Sequence, residues 1–175
     1  MNTANKLTLL RVAMIPLFLV VLYWGFPGSS YVALVIFILA SLTDLADGYI
    51  ARRYNQVTDF GKFMDPLADK VLVVTAMLWF VECGRMPAWA VAIVIFREFA
   101  VSGMRLIAAE RGRVIAAGWS GKVKTASTMV GLCLMFLPLP GAVSGICVAV
   151  IVVTTLYSGI EYFVQNRDVI DWSSL

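Results

Sequence analysis

Long apolar runs alternate with short polar breaks along the chain, and this pattern constrains the fold more than any other sequence feature. The runs lie at about 9–24, 31–50, 67–81, 87–109, 123–138 and 142–164. Charged residues make up 14% of the 175 positions, against about 25% in ordinary soluble domains. Because unpaired backbone groups cannot face lipid, six such runs predict six transmembrane helices. We therefore expect one all-α integral membrane domain over residues 1–175.

Basic residues are distributed unevenly between the breaks, which predicts the orientation. The breaks after the first, third and fifth runs together contain one basic residue, Arg85. The other side carries Lys6, Arg11, Arg52, Arg53, Lys62, Arg111, Arg113, Lys122, Lys124 and Arg167. The positive-inside rule then places both termini in the cytoplasm and the chain in the cytoplasmic membrane. The net charge of +3 reflects this topology and gives no reason to expect nucleic-acid binding.

In the first apolar run, Lys6 and Arg11 precede a hydrophobic stretch, as basic residues precede the apolar region of a secretory signal. The run is long, and no small-residue cleavage motif follows it. We expect it to be a retained first helix.

The chain contains no histidine, which excludes Ser-His and Cys-His catalysis, imidazole ligands and a histidine base. Acid, base and metal chemistry must therefore fall to carboxylates.

Aspartates cluster at the end of the second run. At 100° per residue, Asp44, Asp47, Gly48 and Ala51 share an arc roughly 100° wide on a helix. Two carboxylates therefore lie beside two small residues that leave room for a large ligand. Arg52 follows at the cytoplasmic end, where its planar guanidinium can bind a phosphate.

A second group of aspartates precedes the third run. Gly61, Asp65 and Asp69 are spaced i, i+4 and i+8, which on a helix places them on one narrow face. Pro66 leaves an alternative open, because it could mark a helix start with Asp65 as the N-cap. Two facing helices would pool four carboxylates, namely Asp44, Asp47, Asp65 and Asp69.

Four aspartates within apolar helices require compensation, since each costs about 2.5 to 3.5 kcal/mol on insertion scales. All-oxygen ligands select hard cations, so Mg²⁺ or Mn²⁺ is expected, and a two-metal site would balance four negative charges. The alternative is that the acids cap helices and pair with nearby cations. Those cations are Arg52, Arg53, Lys62 and Lys70.

The segment from Asp44 to Asp69 resembles the complete signature of the CDP-alcohol phosphotransferases, D-x-x-D-G-x-x-A-R-x8-G-x-x-x-D-x-x-x-D. The resemblance implies a six-helix membrane enzyme that is usually dimeric. It implies that Asp44, Asp47 and Asp65 hold metal, and that Asp69 completes the site and acts as the base. The CDP-binding set that we expect is Gly48, Ala51, Arg52, Gly61, Asn5 and Thr8.

Further segments narrow the resemblance. Four segments are similar to sequences of the bacterial branch of the family whose acceptor is sn-glycerol 3-phosphate. They are Asn5–Arg11, Arg97–Arg105, Val114–Ala117 and Gly121–Thr125. This implies transfer of a phosphatidyl group from CDP-diacylglycerol to that acceptor, which releases CMP and phosphatidylglycerol phosphate. The acceptor phosphate is then expected to bind Arg105, Lys122, Lys124, Arg111 and Arg11.

The charges of the fourth run support an acidic acceptor independently. Glu98 and Arg105 are seven residues apart, so we expect this pair on one helix face, pointing into the bundle. Arg105, Arg111, Arg113, Lys122 and Lys124 are expected to converge on the cytoplasmic side. Arg97 is expected to be structural or to pair with an acid. For Arg111 and Arg113, attraction to anionic headgroups is an equal alternative.

Two rival functions remain open from the sequence. The first keeps the fold and the donor but uses serine, inositol phosphate or phosphatidylglycerol as acceptor. The second is a divalent-cation transporter that uses buried carboxylates. It does not explain Gly48, Ala51 and Arg52, which a conduction path does not need.

Overall fold

A computed structural model describes the backbone of residues 3–53, 59–116 and 118–169, and the side chains of residues 6–43, 61, 64, 67–116 and 118–169. These residues form six α-helices and a short 3-10 helix, without a strand in the part described. The helices are α1 (Thr3–Trp24), α2 (Ser29–Arg53), α3 (Asp59–Glu82), α4 (Ala88–Glu110), α5 (Trp119–Phe136) and α6 (Gly141–Gln165). The 3-10 helix covers Arg167–Val169.

Each apolar run corresponds to one helix, so the all-helical prediction is confirmed. Some helices extend well beyond their runs. Helix α3 begins at Asp59, although its run begins near residue 67, and α1 begins at Thr3 instead of near residue 9. Hydropathy marks only the apolar part of a helix, whereas polar residues continue the same hydrogen bonding at its ends.

Glycines end two of the helices in the same way. Gly84 and Gly112 both have φ of 70°, a conformation that residues with a Cβ rarely adopt. The amide of Gly112 donates to the carbonyl of Ala109, and that of Arg113 donates to Ala108, both at 2.9 Å. This is the Schellman pattern, which satisfies the last carbonyls of α4. The turn at Gly84 ends α3 with equivalent backbone hydrogen bonds.

Two helical segments of the described residues are long and apolar enough to cross a membrane, Lys6–Trp24 and Gly141–Gln165. Ser29–Thr43 forms a shorter apolar segment. Helix α4 carries Arg97, Glu98 and Arg105, which lower its mean hydropathy. The expectation of six spans therefore remains a prediction.

The chain divides into two compact units. The first contains Met1–Trp79 with Phe136–Pro138. Here α1 packs along α2, around three buried rings. Phe18 lies 6.2 Å from Phe37 and 5.8 Å from Phe136, between ring centroids, the latter edge-on. Tilted and edge-to-face rings at this spacing favour each other beyond their buried area.

The second unit contains Phe80–Met135 with Leu139–Leu175. Helix α4 packs against α6, and the 3-10 helix contacts α4. One core cluster consists of Val101, Met104, Ala108, Tyr162 and Val169. Gly131 lets α5 approach α6 closely, because a Cβ there would lie 3.1 Å from Ile151 Cδ1.

We expect Gly131→Val to destabilise the protein by about 1 to 3 kcal/mol, because the new methyl groups would force the buried Ile151 side chain aside. Gly145→Val on α6 is the matched control, since a Cβ there meets nothing within 4 Å. Thermal unfolding in detergent should show a lower Tm for the first variant only. Equal Tm values would contradict the close α5–α6 contact.

Candidate active site

The first half of the aspartate signature lies in one continuous helix. Helix α2 runs unbroken from Ser29 to Arg53 and contains five signature residues, namely Asp44, Asp47, Gly48, Ala51 and Arg52. The 100° spacing therefore applies to their backbone positions, and the two aspartates share an arc with the two small residues. The side chains of these five residues lie outside the described part, as does that of Asn5.

The second half lies in α3, which begins at Asp59. Asp65 is therefore inside the helix, and the alternative that it caps a helix starting at Pro66 is wrong. Gly61, Asp65 and Asp69 accordingly occupy i, i+4 and i+8 positions on one face. Gly61 is buried and Asp69 is half-buried, whereas the side chain of Asp65 is outside the described residues.

Helix α1 contributes two fully buried polar residues to the first unit. Thr8 is 1% exposed and Arg11 is 0% exposed. The Arg11 Nε donates to the Ala40 carbonyl at 3.3 Å and to Thr43 Oγ1 at 3.4 Å. By helical phase, positions 40 and 43 lie on the same arc of α2 as the first two signature aspartates. Arg11 thus contacts the α2 face on which the signature begins.

A part-buried ion cluster in the second unit joins α4 to α5. Glu98 Oε1 accepts hydrogen bonds from Lys124 Nζ at 2.6 Å and from Arg97 Nη1 at 2.9 Å. The Lys124 side chain is 7% exposed and that of Arg97 is 13% exposed. Two charge-assisted bonds in these apolar surroundings are strong and fix both cations. The expectation that Arg97 pairs with an acid is confirmed.

Glu98 and Arg105 do not form the charge pair that was expected from their spacing. Arg105 is exposed, and its Nε donates to Tyr162 Oη at 3.2 Å while its guanidinium lies 5.6 Å from that ring's centroid. Seven residues along a helix are about 10 Å apart, so each charge meets a nearer partner. Tyr162 was not among the predicted site residues, because its only signal in the sequence is a phenol hydroxyl within an apolar run.

The basic residues that were expected to converge differ in exposure and in partner. Lys122 and Lys124 are two residues apart, which puts them on opposite sides of α5, and Lys122 is exposed whereas Lys124 is buried. Arg113 pairs with Asp168 of the 3-10 helix. The hydrogen bond from Arg113 lowers the pKa of the Asp168 carboxyl. Arg111 is exposed, as an anion-binding side chain needs to be.

The predicted metal site is the four-aspartate set, and only Asp69 has a described side chain. Among the described residues no group of three or more His, Cys, Asp or Glu side chains could hold a metal ion. The chemistry of the donor set nevertheless fits a divalent cation, because four carboxylates on two helix faces supply only hard oxygen ligands. Which metal the carboxylates would bind stays a prediction.

An apolar groove of about 570 Å³ lies between α4 and α6. Its walls are alanine, aliphatic and phenylalanine side chains, and Arg97 and Thr155 also line it. Alkyl chains would fit such a groove, because it offers almost no polar surface to water.

Comparison with known proteins identifies the family. The sequence profile of the CDP-alcohol phosphatidyltransferase family matches residues 1–157. The chain is 40% identical over 193 aligned positions to a CDP-diacylglycerol–glycerol-3-phosphate 3-phosphatidyltransferase of Bacillus subtilis, covering 99% of each chain. It is 41% identical to the Escherichia coli protein of that name, covering 97% of this chain and 98% of the other. A probable phosphatidylglycerophosphate synthase of Mycobacterium tuberculosis is 40% identical, covering 96% of this chain and 83% of the other.

We expect Lys124→Met to lower the unfolding free energy by about 2 kcal/mol, because Glu98 loses one charged hydrogen bond. Lys122→Met on the same helix should change it by no more than about 0.5 kcal/mol, since Lys122 is exposed. Adding Glu98→Gln to Lys124→Met should not restore the loss, because Arg97 would then lose its carboxylate partner. Equal effects of the two lysine substitutions in thermal unfolding would argue against the ion cluster.

Proposed function

Because the chain belongs to the CDP-alcohol phosphatidyltransferase family, we propose that it transfers the phosphatidyl group of CDP-diacylglycerol to sn-glycerol 3-phosphate. The products are phosphatidylglycerol phosphate and CMP. The observation that carries this proposal is the match to relatives bearing the name of that activity, at 40 to 41% identity over 97 to 99% of this chain. The complete aspartate signature supports it.

The proposed catalytic centre combines the two signature faces. Asp44, Asp47, Asp65 and Asp69 would hold Mg²⁺ or Mn²⁺. Such a cation, when bound, offsets the charge of the diphosphate and of the departing phosphate. The small residues Gly48, Ala51 and Gly61 leave space for the cytidine diphosphate. Arg52, Asn5 and Thr8 complete the proposed CDP-binding set, with Arg52 acting on a phosphate.

Asp69 is the proposed general base. It takes the proton from the attacking hydroxyl of glycerol 3-phosphate, whose oxygen then bonds to the phosphorus that bears the diacylglycerol. The bond from that phosphorus to the CMP oxygen breaks, and CMP leaves with the electron pair. The half-buried position of Asp69 suits a base that must meet both substrate and protein. No covalent enzyme intermediate is needed.

The acceptor phosphate is proposed to bind the basic residues Arg105, Arg111, Lys122, Lys124 and Arg11. Their contacts suggest two different roles. Arg105, Arg111 and Lys122 are exposed and can reach a phosphate from solution. Lys124 and Arg11 are buried and already donate to protein oxygens. Those two would hold the surrounding groups in place and add positive potential.

We also propose the membrane arrangement that this chemistry needs. The six helices span the cytoplasmic membrane with both termini and the active site on the cytoplasmic side, where water-soluble acceptor and CMP are exchanged. The asymmetry of the basic residues supports this orientation. The protein is further proposed to form a homodimer, as the family resemblance implies.

The test of the reaction is CMP release from CDP-diacylglycerol by the purified full-length protein, against a panel of acceptors. Glycerol 3-phosphate should support turnover, whereas serine, inositol phosphate and phosphatidylglycerol should not. EDTA should abolish it, and Mg²⁺ or Mn²⁺ should restore it. Preference for another acceptor would overturn the proposed substrate, and uptake of Mn²⁺ into proteoliposomes without CDP-lipid would favour the transporter.

We expect Asp69→Asn to lower kcat by about 10² to 10⁴ times, which is the usual contribution of a general base. Binding of CDP-diacylglycerol should persist, since the amide leaves the space for the nucleotide unchanged. Asp168→Asn is the control, because Asp168 is exposed beside Arg113 and should retain turnover. A kcat of Asp69→Asn equal to that of the parent protein would remove Asp69 from the base role.

A further inference from the structure

A second cavity, of about 260 Å³, lies between the start of α5 and the last turns of α6. Both of these helix ends belong to the second unit. Helix α5 begins at Trp119 and α6 ends at Gln165, so the cavity is at the polar edge of the two helices. Its walls combine two aromatic rings, two valines, two hydroxyl groups and one carboxylate.

The carboxylate of Glu161 gives the cavity its charge. Glu161 Oε1 accepts a hydrogen bond from Gln165 Nε2 at 3.0 Å. Oε2 is buried and has no hydrogen-bond partner among the described residues. A buried carboxylate oxygen without a donor is costly. None of the described residues that line the cavity is basic. The chemical complement of this site is therefore a cation.

The aromatic and hydroxyl groups define which cation fits. Trp119 and Tyr157 line the cavity and are 78% and 65% exposed, so their rings are open to a ligand that approaches from outside. Ring faces attract ammonium groups. The hydroxyl oxygens of Ser120 and Thr154 add hydrogen-bond acceptors. A primary ammonium, with three N–H donors, suits these acceptors better than a quaternary one, which has none.

We propose that this cavity binds the ammonium group of an ethanolamine phospholipid headgroup. A lipid is favoured over a free amine because Trp119 is the first residue of α5, and a Trp at a helix end typically meets the membrane surface. The valine part of the wall can receive the apolar part of the lipid. The proposal depends on the proposed membrane location and is independent of the transfer reaction.

The experiment measures lipid retention by the full-length protein in detergent, using native mass spectrometry without donor or acceptor substrate. Three lipids with identical acyl chains are compared. The ethanolamine lipid has an ammonium charge with N–H donors, and the choline lipid has an ammonium charge without them. The N-acetylated ethanolamine lipid lacks the ammonium charge and keeps only the negative phosphate. We expect the ethanolamine lipid to be retained about five to ten times more than the N-acetylated one, with the choline lipid between them.

Variants separate the site from general lipid binding. Glu161→Gln should abolish the preference, and Tyr157→Leu should reduce it. Glu110→Gln, an exposed acid at the end of α4, is the matched control and should retain it. The proposal is overturned if the parent protein retains the three lipids equally, or if Glu161→Gln keeps the full preference. Because Tyr157 is exposed, its substitution provides a test even if Glu161→Gln does not fold.

Discussion

The compensation of charge within apolar helices is the constraint on which the rest of the structure depends. A chain with this many hydrophobic residues can hold an ionised side chain inside only where another group satisfies it. Arg11 lies fully buried and directs its Nε toward a carbonyl and a hydroxyl of α2. Glu98 holds two cations through one oxygen. These contacts determine which helices must lie side by side.

The two units meet this constraint in different ways. In the second unit the protein supplies both signs of charge, because Glu98 pairs with Arg97 and Lys124. In the first unit the signature puts four aspartate positions on two helices, Asp44 and Asp47 on α2 and Asp65 and Asp69 on α3. Their carboxylates are the hard oxygen ligands that suit a divalent cation, which is the basis of the proposed chemistry.

The sequence predicted six helices, because apolar runs and glycine breaks are local signals. It also predicted the arc that holds Asp44 and Asp47, which needs only helical geometry. It could not decide whether the third helix begins at Pro66 or runs through it, because a proline is compatible with a helix start and with a helix interior. The partners of Glu98 and Arg105 were not predictable either, since Lys124 and Tyr162 come from other helices. Contacts between helices depend on packing that no single-helix pattern contains.

Burial likewise separates residues that the sequence treats alike. Lys122 and Lys124 have the same chemistry and nearly the same position, yet one is exposed and the other is buried. Their order along the chain says nothing of this until the face of α5 that meets its neighbours is known. The same holds for Arg97 and Arg105 on α4, which differ in exposure and in partner.

The path of the Arg97 side chain has a consequence for how the sequence can evolve. A Cβ at Gly159 would lie 3.2 Å from Arg97 Cγ, and one at Gly121 would lie 3.6 Å from Nη2. The side chain of Arg97 therefore depends on the glycine at position 159 of α6, whereas position 121 of α5 leaves ordinary van der Waals space. A larger residue at position 159 would be acceptable only with a shorter one at position 97, which would in turn deprive Glu98 of a partner. Positions 97, 98 and 159 should accordingly change together in descent.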